Sequence, residues 1–208
     1  MSDTRVRGRY APSPTGLLHL GNARTALLAW LHARALGGEF VIRMEDLDRP
    51  RCAPGAAEAI LDDLRWLGLD WDEGPDVGGP CGPYVQSERT AIYEQALSRL
   101  AAQGRVFECY CTRGEIAAAA SAPHGPADDG PRYPGTCRAL PPEAVAAKKA
   151  SGRRPALRLR VEPGARRFVD GIAGPIEIDV AESVGDFVVR RADGIHAYQL
   201  AVSVDDGL

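Results

Sequence analysis

The order of strand-like and helical patterns in the first seventy residues most constrains the fold of this chain. The stretch "TRVRGRYAP" alternates as a strand does and stops at Pro12. Apolar residues then recur at helical spacing over 22–36, and the Gly-Gly pair that follows ends the pattern. A buried-strand pattern covers 40–44, and a second helical face covers 55–67. This β-loop-α-β-α order predicts a parallel sheet with crossover helices, and hence an α/β fold.

The chain changes character after a third helical pattern at 87–103. The segment "VFECYCT", a polyalanine run and "HGPADDGPRYPGTCR" predict a loop-rich region that needs a stabiliser other than apolar burial. A short helix is expected at "PEAVAAKKASG". The short strand patterns "ALRLRVE", "ARRFVD", "PIEID" and "DFVVRRADG" then predict an antiparallel insertion. The final "HAYQLAVSVDDGL" fits either a helix or a strand.

Charge and composition exclude several classes of protein. No apolar run approaches the ~20 residues of a membrane span, and "MSDTRVRGRY" lacks the apolar core of a signal peptide. We therefore expect a cytoplasmic protein without a membrane partner. The net charge of −3 gives no overall attraction to nucleic acid. Residues 153–167, however, hold six arginines and one glutamate, which fits either a solvated face or a surface that contacts phosphates.

The turn "SPTGLLHLGN" joins the first strand to the first helix. Such a turn lies at the carboxyl edge of a parallel sheet, where ligands bind in open α/β folds. The helix N-terminus offers N–H groups to an anion, and His19 and Asn22 add donors for phosphate oxygens. Gly16 and Gly21 allow close approach of a ligand. These residues predict a nucleotide site, although a surface histidine beside an Asn22 N-cap fits them too.

The five cysteines are an odd number, which argues against a disulfide framework in a cytoplasmic chain. Cys109, Cys111 and Cys137 fall in the loop-rich region, where three thiolates fit a structural zinc site with four ligands. The residues alone leave the fourth ligand open, with His124 as one candidate. Buried free thiols are the alternative to a metal site, and the other two cysteines are expected to be free thiols.

The quoted turn also carries a family resemblance. "GRYAPSPTGLLHLGNARTALL" and "FVIRMEDLDRPR" resemble the opening of the glutamyl-tRNA synthetase family, and "HLGN" is similar to the His-Ile-Gly-His signature of class I aminoacyl-tRNA synthetases. The resemblance continues through "WLGLDWDEGP", "YVQSERTAIYEQAL", "YCTRGEI", "RYPGTCR" and "VGDFVVRRADGIHAYQLAVSVDD". It implies a Rossmann-like nucleotide-binding domain with an inserted, zinc-clipped α+β subdomain. The expected segments are 1–104 for the first part of the catalytic domain, 105–184 for the insertion and 185–208 for the return to the catalytic domain.

The resemblance implies a ligase that activates L-glutamate with ATP and Mg²⁺ to glutamyl-adenylate. "EDLDRPR", the short insertion and "RYPGTC" favour a short branch of the family without an anticodon-binding domain. That branch transfers glutamate to the queuosine base in the anticodon arm of tRNA(Asp), and we expect a monomer. Three alternatives remain: the catalytic-domain fragment of a conventional glutamyl-tRNA synthetase, a non-catalytic RNA-binding module, and another nucleotidyl transferase on the same fold.

The resemblance also implies the site residues. His19 and Asn22 would be catalytic, stabilising the charge that builds on the α-phosphate. ATP would be bound by Pro12, His19, Gly21 and Asn22, and glutamate by Arg9, Tyr10, Ala11, Pro12, Ser13, Glu45 and Tyr198. Arg9 would bind the side-chain carboxylate and Glu45 the α-amino group. Without the resemblance, the residues favour a surface acid for Glu45 and a core aromatic for Tyr198.

The resemblance extends to the metal site and to two missing parts. It implies zinc held by Cys109, Cys111, Tyr133 and Cys137, with His124 as the competitor for the fourth position. A lysine-rich ATP loop and a second glutamate-binding arginine would follow Leu208, since Lys148 and Lys149 lie in the wrong context to replace that loop.

Overall fold

The computed structural model describes residues 6–119 and 132–208 and divides them into two compact units, one up to Ile92 together with Leu208 and one over 93–207. The strands are Arg7–Tyr10 (β1), Glu39–Ile42 (β2), Val106–Cys109 (β3), Ala156–Leu159 (β4), Ala165–Asp170 (β5), Gly174–Asp179 (β6) and Val188–Arg190 (β7). The helices are Leu20–Ala35 (α1), Ala56–Trp66 (α2), Thr90–Ala102 (α3), Arg113–Ala119 (α4), Pro142–Ala150 (α5), Val180–Ser183 (α6) and Tyr198–Asp205 (α7). Short 3-10 turns cover Arg49–Arg51 and Gln86–Glu88.

The first unit is built on the parallel pair β1–β2, which confirms the parallel arrangement predicted from the β-loop-α-β-α pattern. The register runs from Arg7 opposite Glu39 to Tyr10 opposite Ile42. Parallel bridges from Val41 to Glu73 and from Met44 to Val85 extend the pairing beyond the two strands. The crossover helix α1 packs on this layer, as a parallel connection requires.

Helix α1 packs on β1 through small residues. Ala26 and Ala33 are fully buried, and a Cβ atom added to Gly8 would lie 2.7 Å from the Ala33 Cβ. The leucines of α1 point away from this core, with Leu20 and Leu28 exposed by 87% and 53%. The apolar periodicity therefore located the helix, while the small residues determine how closely it approaches the strand.

Helix α2 buries the face that its spacing predicted. Ile60, Leu61 and Leu64 join the core beside Phe40. The inclusion of Leu67 in that face was wrong, because α2 ends at Trp66 and Leu67 is 41% exposed.

The second unit is antiparallel, as predicted for the insertion. Strands β3, β4 and β7 form one sheet in the order β3-β4-β7, and β5 and β6 form a separate hairpin. The buried Asp186 carboxylate accepts the Val161 N–H at 2.9 Å and pairs with Arg138. The Asp186 carbonyl accepts a hydrogen bond from buried Arg158 at 2.7 Å.

The prediction of a loop-rich segment after α3 was wrong in its first part. Strand β3 forms there, because β4 supplies its partner from about fifty residues further along the chain. The alanines then continue as α4, in line with their high helix propensity.

The last apolar segment is the helix α7, which resolves the choice between helix and strand. The Tyr93 hydroxyl on α3 donates to Asp205 at the end of α7 over 2.9 Å. His196, just before α7, lies 3.1 Å from the Glu94 carboxylate, and its ring packs tilted against the Tyr93 ring with the centroids 5.6 Å apart. Within the described ranges, no helix is long and apolar enough to cross a membrane.

Candidate active site

The carboxyl edge of the β1–β2 pair brings two of the sequence motifs side by side. Beyond the strands, the Arg43 N–H donates to the Tyr10 carbonyl at 3.1 Å and the Glu45 N–H to the Pro12 carbonyl at 2.9 Å. The "RYAPS" and "VIRMED" segments therefore leave the sheet in register, since parallel strands end at the same edge.

His19 caps helix α1. Its Nδ1 accepts the N–H groups of Gly21 at 3.1 Å and Asn22 at 3.4 Å, and its own N–H lies 3.5 Å from the Asn22 Oδ1. The helix thus begins at Leu20, and the reading of Asn22 as the N-cap was wrong, because Asn22 is the third helical residue of a capping box led by His19. Because Nδ1 is an acceptor, the neutral imidazole carries its proton on Nε2.

The expectation of free N–H groups at this helix start needs correction. The N–H groups of Gly21 and Asn22 bond to the His19 ring, and the N–H of Ala23 donates to the His19 carbonyl at 3.1 Å. Gly21 has little room for a side chain, since a Cβ there would lie 3.0 Å from the His19 Cε1. The exposed His19 ring is therefore a group that this turn can offer to an anion.

Glu45 is half-buried as a residue, but its side chain is largely withdrawn from solvent, so its reading as a surface acid was wrong. The side chains of Arg43 and Glu45 are both 7% exposed, and Arg43 Nη2 lies 3.0 Å from Glu45 Oε1. The next residue, Asp46, accepts the Ser87 N–H at 2.8 Å and the Ser87 hydroxyl at 2.6 Å. The sequence analysis missed Arg43 and Ser87, although the two-residue spacing in "RME" places Arg43 and Glu45 on one face of an extended strand.

The other residues expected to bind glutamate differ in exposure. Arg9, the third residue of β1, and Ser13, in the loop after it, are exposed, while Ala11 is half-buried and Tyr10 and Pro12 are buried. Burial raises the pKa of Tyr10, and the nearby Asn22 amide partly opposes that shift. No hydrogen bond with full geometry reaches the Tyr10 hydroxyl, so the Asn22 contact is a weak one.

Tyr198 is the first residue of α7 in the second unit and is 57% exposed. The reading of Tyr198 as a core aromatic was therefore wrong. Leu200 and Ala201 supply the buried face of that helix instead.

Three cysteine sulfurs converge in the second unit. The Sγ atoms of Cys109, Cys111 and Cys137 lie within 4.8 Å of one another, and those of Cys111 and Cys137 are 3.6 Å apart. A tetrahedral zinc with Zn–S bonds of about 2.3 Å requires sulfurs about 3.8 Å apart, so these three donors fit the metal. A small core that includes Phe107 and Ile116 supports the cluster. All five cysteines of the chain are free thiols in this structure.

Tyr133 lies against this cluster, whereas His124 lies outside the described residues. The buried Tyr133 hydroxyl accepts the Cys137 N–H at 2.6 Å. Burial and a hydrogen bond to the Cys109 sulfur raise the pKa of Tyr133 above its usual range. Burial opposes ionisation of Cys137, but the Tyr110 N–H and the Tyr133 hydroxyl lower its pKa by donating to the thiolate. Tyr133 is thus close enough to the three thiols to complete a four-donor set.

The arginine segment is not one continuous phosphate-binding surface. Arg158 is buried, with its guanidinium 3.9 Å from the centre of the Tyr133 ring, and Arg160 stacks on Phe107. Arg167 pairs with Glu177 at 2.9 Å. Arg158 and Arg160 therefore pack against aromatic rings of the second unit, which neither of the two sequence readings anticipated.

The comparisons with known proteins agree with this geometry. The model of the catalytic domain of class I tRNA synthetases (E and Q) matches residues 5–208. The chain belongs to this family. The fold is accordingly that of a class I synthetase catalytic domain, as the "HLGN" turn and the parallel strands predicted.

Relatives of two kinds match almost the whole chain. The glutamyl-Q tRNA(Asp) synthetases of Symbiobacterium thermophilum and Nitratidesulfovibrio vulgaris are 60% and 57% identical over 97% of it. The glutamate–tRNA ligase of S. thermophilum is 49% identical over 97% of the chain. The chain spans 62% of the length of the first two relatives and 42% of the third.

A solved structure supports the same fold. The glutamate tRNA ligase of Elizabethkingia meningosepticum, crystallised in complex with its amino acid, superposes with a TM-score of 0.81 at 33% identity. The match covers 98% of this chain and 42% of that ligase.

Proposed function

We propose that the whole protein activates L-glutamate with ATP and transfers it to the queuosine base in the anticodon of tRNA(Asp). The observation that carries this proposal is the difference in identity between the two groups of relatives. Over nearly the same residues, the two glutamyl-Q tRNA(Asp) synthetases have 60% and 57% sequence identity to the chain. The glutamate–tRNA ligase of Symbiobacterium thermophilum has 49% identity. The sequence features "EDLDRPR" and "RYPGTC" favour the same branch.

In the activation step, a glutamate α-carboxylate oxygen attacks the α-phosphorus of Mg²⁺-bound ATP, and pyrophosphate leaves. Negative charge builds on the α-phosphate, where a preorganised donor is most effective. We propose that His19 supplies that donor through Nε2, since its Nδ1 is occupied by the helix cap. Asn22 would assist, Gly21 would leave room for the adenosine, and Pro12 would line the ATP site.

Glutamate would bind along the carboxyl edge of β1 and β2. Arg9 would pair with the side-chain carboxylate and Glu45 with the α-ammonium group. Tyr10, Ala11, Pro12 and Ser13 would complete the pocket in the first unit, and Tyr198 is a further residue expected to bind glutamate. Support comes from the register that carries Pro12 and Glu45 side by side beyond the sheet.

The cysteine cluster would hold a structural zinc ion. Cys109, Cys111 and Cys137 would supply thiolates and Tyr133 the fourth donor, so that the ion clips the loop after β3 to the "RYPGTC" turn. Support comes from the convergence of the three sulfurs and from the position of the Tyr133 hydroxyl beside them.

Three further expectations accompany this proposal. The division into 1–104, 105–184 and 185–208 would separate the catalytic domain from its insertion. The protein would act as a monomer on the anticodon arm. Because the proposed substrate is a tRNA, the cytoplasm remains the expected location.

Exchange of labelled pyrophosphate into ATP with the whole protein tests the activation step. We expect exchange that depends on glutamate, is not supported by glutamine or aspartate, and needs no tRNA. Transfer of labelled glutamate would then be compared on tRNA(Asp) with queuosine, tRNA(Asp) without queuosine, and tRNA(Glu). Transfer to the first tRNA alone supports the proposal. Absence of glutamate-dependent exchange both with and without tRNA rejects the enzymatic interpretation.

The second candidate is a conventional glutamate–tRNA ligase. It is favoured by 49% identity over 97% of the chain and by the superposition on a solved ligase at a TM-score of 0.81. Glutamate transfer to tRNA(Glu), together with exchange that requires tRNA, would select this candidate.

A further inference from the structure

The Arg43–Glu45 pair lies within the proposed glutamate site, and the proposed reaction assigns no role to Arg43. The two side chains approach to 3.0 Å between Arg43 Nη2 and Glu45 Oε1, and both are 7% exposed. Other ion pairs among the described residues of the first unit are more open. In the pair between Arg34 and Asp72, for instance, the side chains are 24% and 42% exposed.

The backbone determines the geometry of this pair. The N–H groups of both residues donate to the segment that follows β1, to the Tyr10 carbonyl and the Pro12 carbonyl. Met44, between them, is 2% exposed and points into the core. In an extended strand, residues two apart share a face, so Arg43 and Glu45 are neighbours on the face opposite Met44.

Because the Glu45 side chain is withdrawn from water, the contact with Arg43 affects how easily its carboxylate stays ionised. A carboxylate withdrawn from water is costly to keep ionised unless a cation or several donors compensate for the lost solvation. The guanidinium favours the ionised carboxylate and, being planar, also favours one orientation of it. A carboxylate has about four acceptor positions, so the Arg43 contact is compatible with an additional bond to an ammonium group.

We propose that Arg43 is a positioning residue for the α-amino group of glutamate and acts through Glu45. It keeps Glu45 ionised and oriented toward the amino group before the substrate arrives. The inference rests on the proposed function of Glu45 and adds to it the residue that prepares the carboxylate. The opposite arrangement would make Arg43 a competitor, a cation that occupies Glu45 and must be displaced by the substrate.

The test uses the whole protein with the variants Arg43→Gln, Arg43→Lys, Glu45→Gln and the double variant Arg43→Gln/Glu45→Gln. In pyrophosphate exchange, we expect Arg43→Gln to raise the KM for glutamate by about tenfold or more, with the KM for ATP unchanged. Arg43→Lys should restore part of the affinity. The double variant should be no weaker than Glu45→Gln, because Arg43 acts only through that carboxylate.

Glutarate, which is glutamate without its α-amino group, separates positioning from a general distortion of the pocket. Its inhibition constant should be the same for wild type and Arg43→Gln, because glutarate offers Glu45 no ammonium group. Arg34→Gln is the matched control, since it removes an ion-paired arginine of the same unit that contacts Asp70 and Asp72. This control should lower the Tm and leave the KM for glutamate unchanged.

The outcomes distinguish this inference from the proposed function. If the wild type shows no glutamate-dependent exchange, the proposed function fails. If the wild type exchanges but Arg43→Gln leaves the KM for glutamate unchanged or lowers it, this inference fails alone. Additive losses in the double variant, or an equal loss of glutarate binding, overturn it as well. If Arg43→Gln does not fold, the KM for glutamate and the inhibition constant of glutarate are compared between wild type and Arg43→Lys instead, and the same outcomes support or overturn the inference.

Discussion

The two nitrogens of the His19 ring have different surroundings. Nδ1 accepts two backbone N–H groups of α1, and so it holds the ring in place and assigns the proton of the neutral form to Nε2. The ring is exposed at the start of the helix. One histidine can therefore both cap the start of the helix and present a donor at Nε2, whereas an asparagine in its place would keep the cap but carry its amide N–H donors on a shorter side chain.

Substitutions of His19 separate these two roles. His19→Ala removes the cap and should lower the free energy of unfolding by about 1 kcal/mol, whereas His19→Asn should largely restore it. If Nε2 stabilises the α-phosphate, both variants should lose about 100-fold or more in the rate of exchange. Urea unfolding and pyrophosphate exchange measure the two effects. A His19→Asn variant with wild-type exchange would show that His19 is only a cap.

The hairpin β5–β6 is held at both ends by aspartates. At the turn, the Asp170 carboxylate accepts the N–H groups of Ile172 at 2.8 Å and Ala173 at 2.7 Å. At the open end, the Asp179 carboxylate accepts the Gly164 N–H at 2.8 Å and caps the start of α6. The strand residues themselves are mostly exposed, so these polar contacts define the element more than apolar burial does.

These contacts give the hairpin a defined response to pH. Hydrogen bonds from backbone N–H groups lower the pKa of Asp170 and Asp179 below the ordinary value of 3.8. A carboxyl group whose pKa is lower in the folded state stabilises that state fully above its unfolded value, and the effect is lost as the pH falls through the folded value. The hairpin should therefore keep its structure at pH 5 and loosen below about pH 4.

Amide chemical shifts followed by NMR test this response. The N–H signals of Gly164, Ile172 and Ala173 should titrate with midpoints below 3.8, the ordinary aspartate value. Asp170→Asn should abolish the titration at Ile172 and Ala173 and leave that at Gly164, and Asp179→Asn should do the reverse. Midpoints at or above the ordinary value would contradict the assignment.

The two units of the chain are stabilised in different ways. The first buries apolar side chains from β1, β2, α1 and α2 in one core. The second has a smaller apolar cluster around the cysteines, together with buried charged groups such as Arg158 and Asp186. Small cores of this kind often depend on a metal, because the ion replaces missing apolar burial.

Removal of the proposed zinc should therefore destabilise the protein. We expect one zinc per chain by elemental analysis, and a chelator should lower the Tm by about 5–10 °C. Tyr133→Phe should lower zinc content, and His124→Ala should leave it unchanged. Retention of zinc by Tyr133→Phe with loss in His124→Ala would assign the fourth position to the histidine. A metal-free protein whose Tm resists the chelator would contradict the site altogether.

Local patterns were sufficient for the framework of the fold. The alternation that ends at Pro12, the helical spacing up to the Gly-Gly pair and the buried run at 40–44 predicted the parallel pair and its crossover helix. Local sequence patterns did not predict a strand whose pairing partner lies far along the chain. Strand β3 looked like a loop, because its stability depends on pairing with β4, and the alanines of α4 have no periodic apolar face.

The sequence by itself determined the family, the parallel arrangement of the first two strands and the grouping of the three cysteines, because those features are expressed in short, ordered stretches. Only the tertiary structure decided that the Glu45 side chain pairs with Arg43 away from solvent, that Tyr198 is exposed, and that Arg158 is buried. Burial and pairing of a side chain depend on residues brought together from different parts of the chain. The sequence therefore identified Glu45 as an acid, whereas its contact with Arg43 became visible only in the tertiary structure.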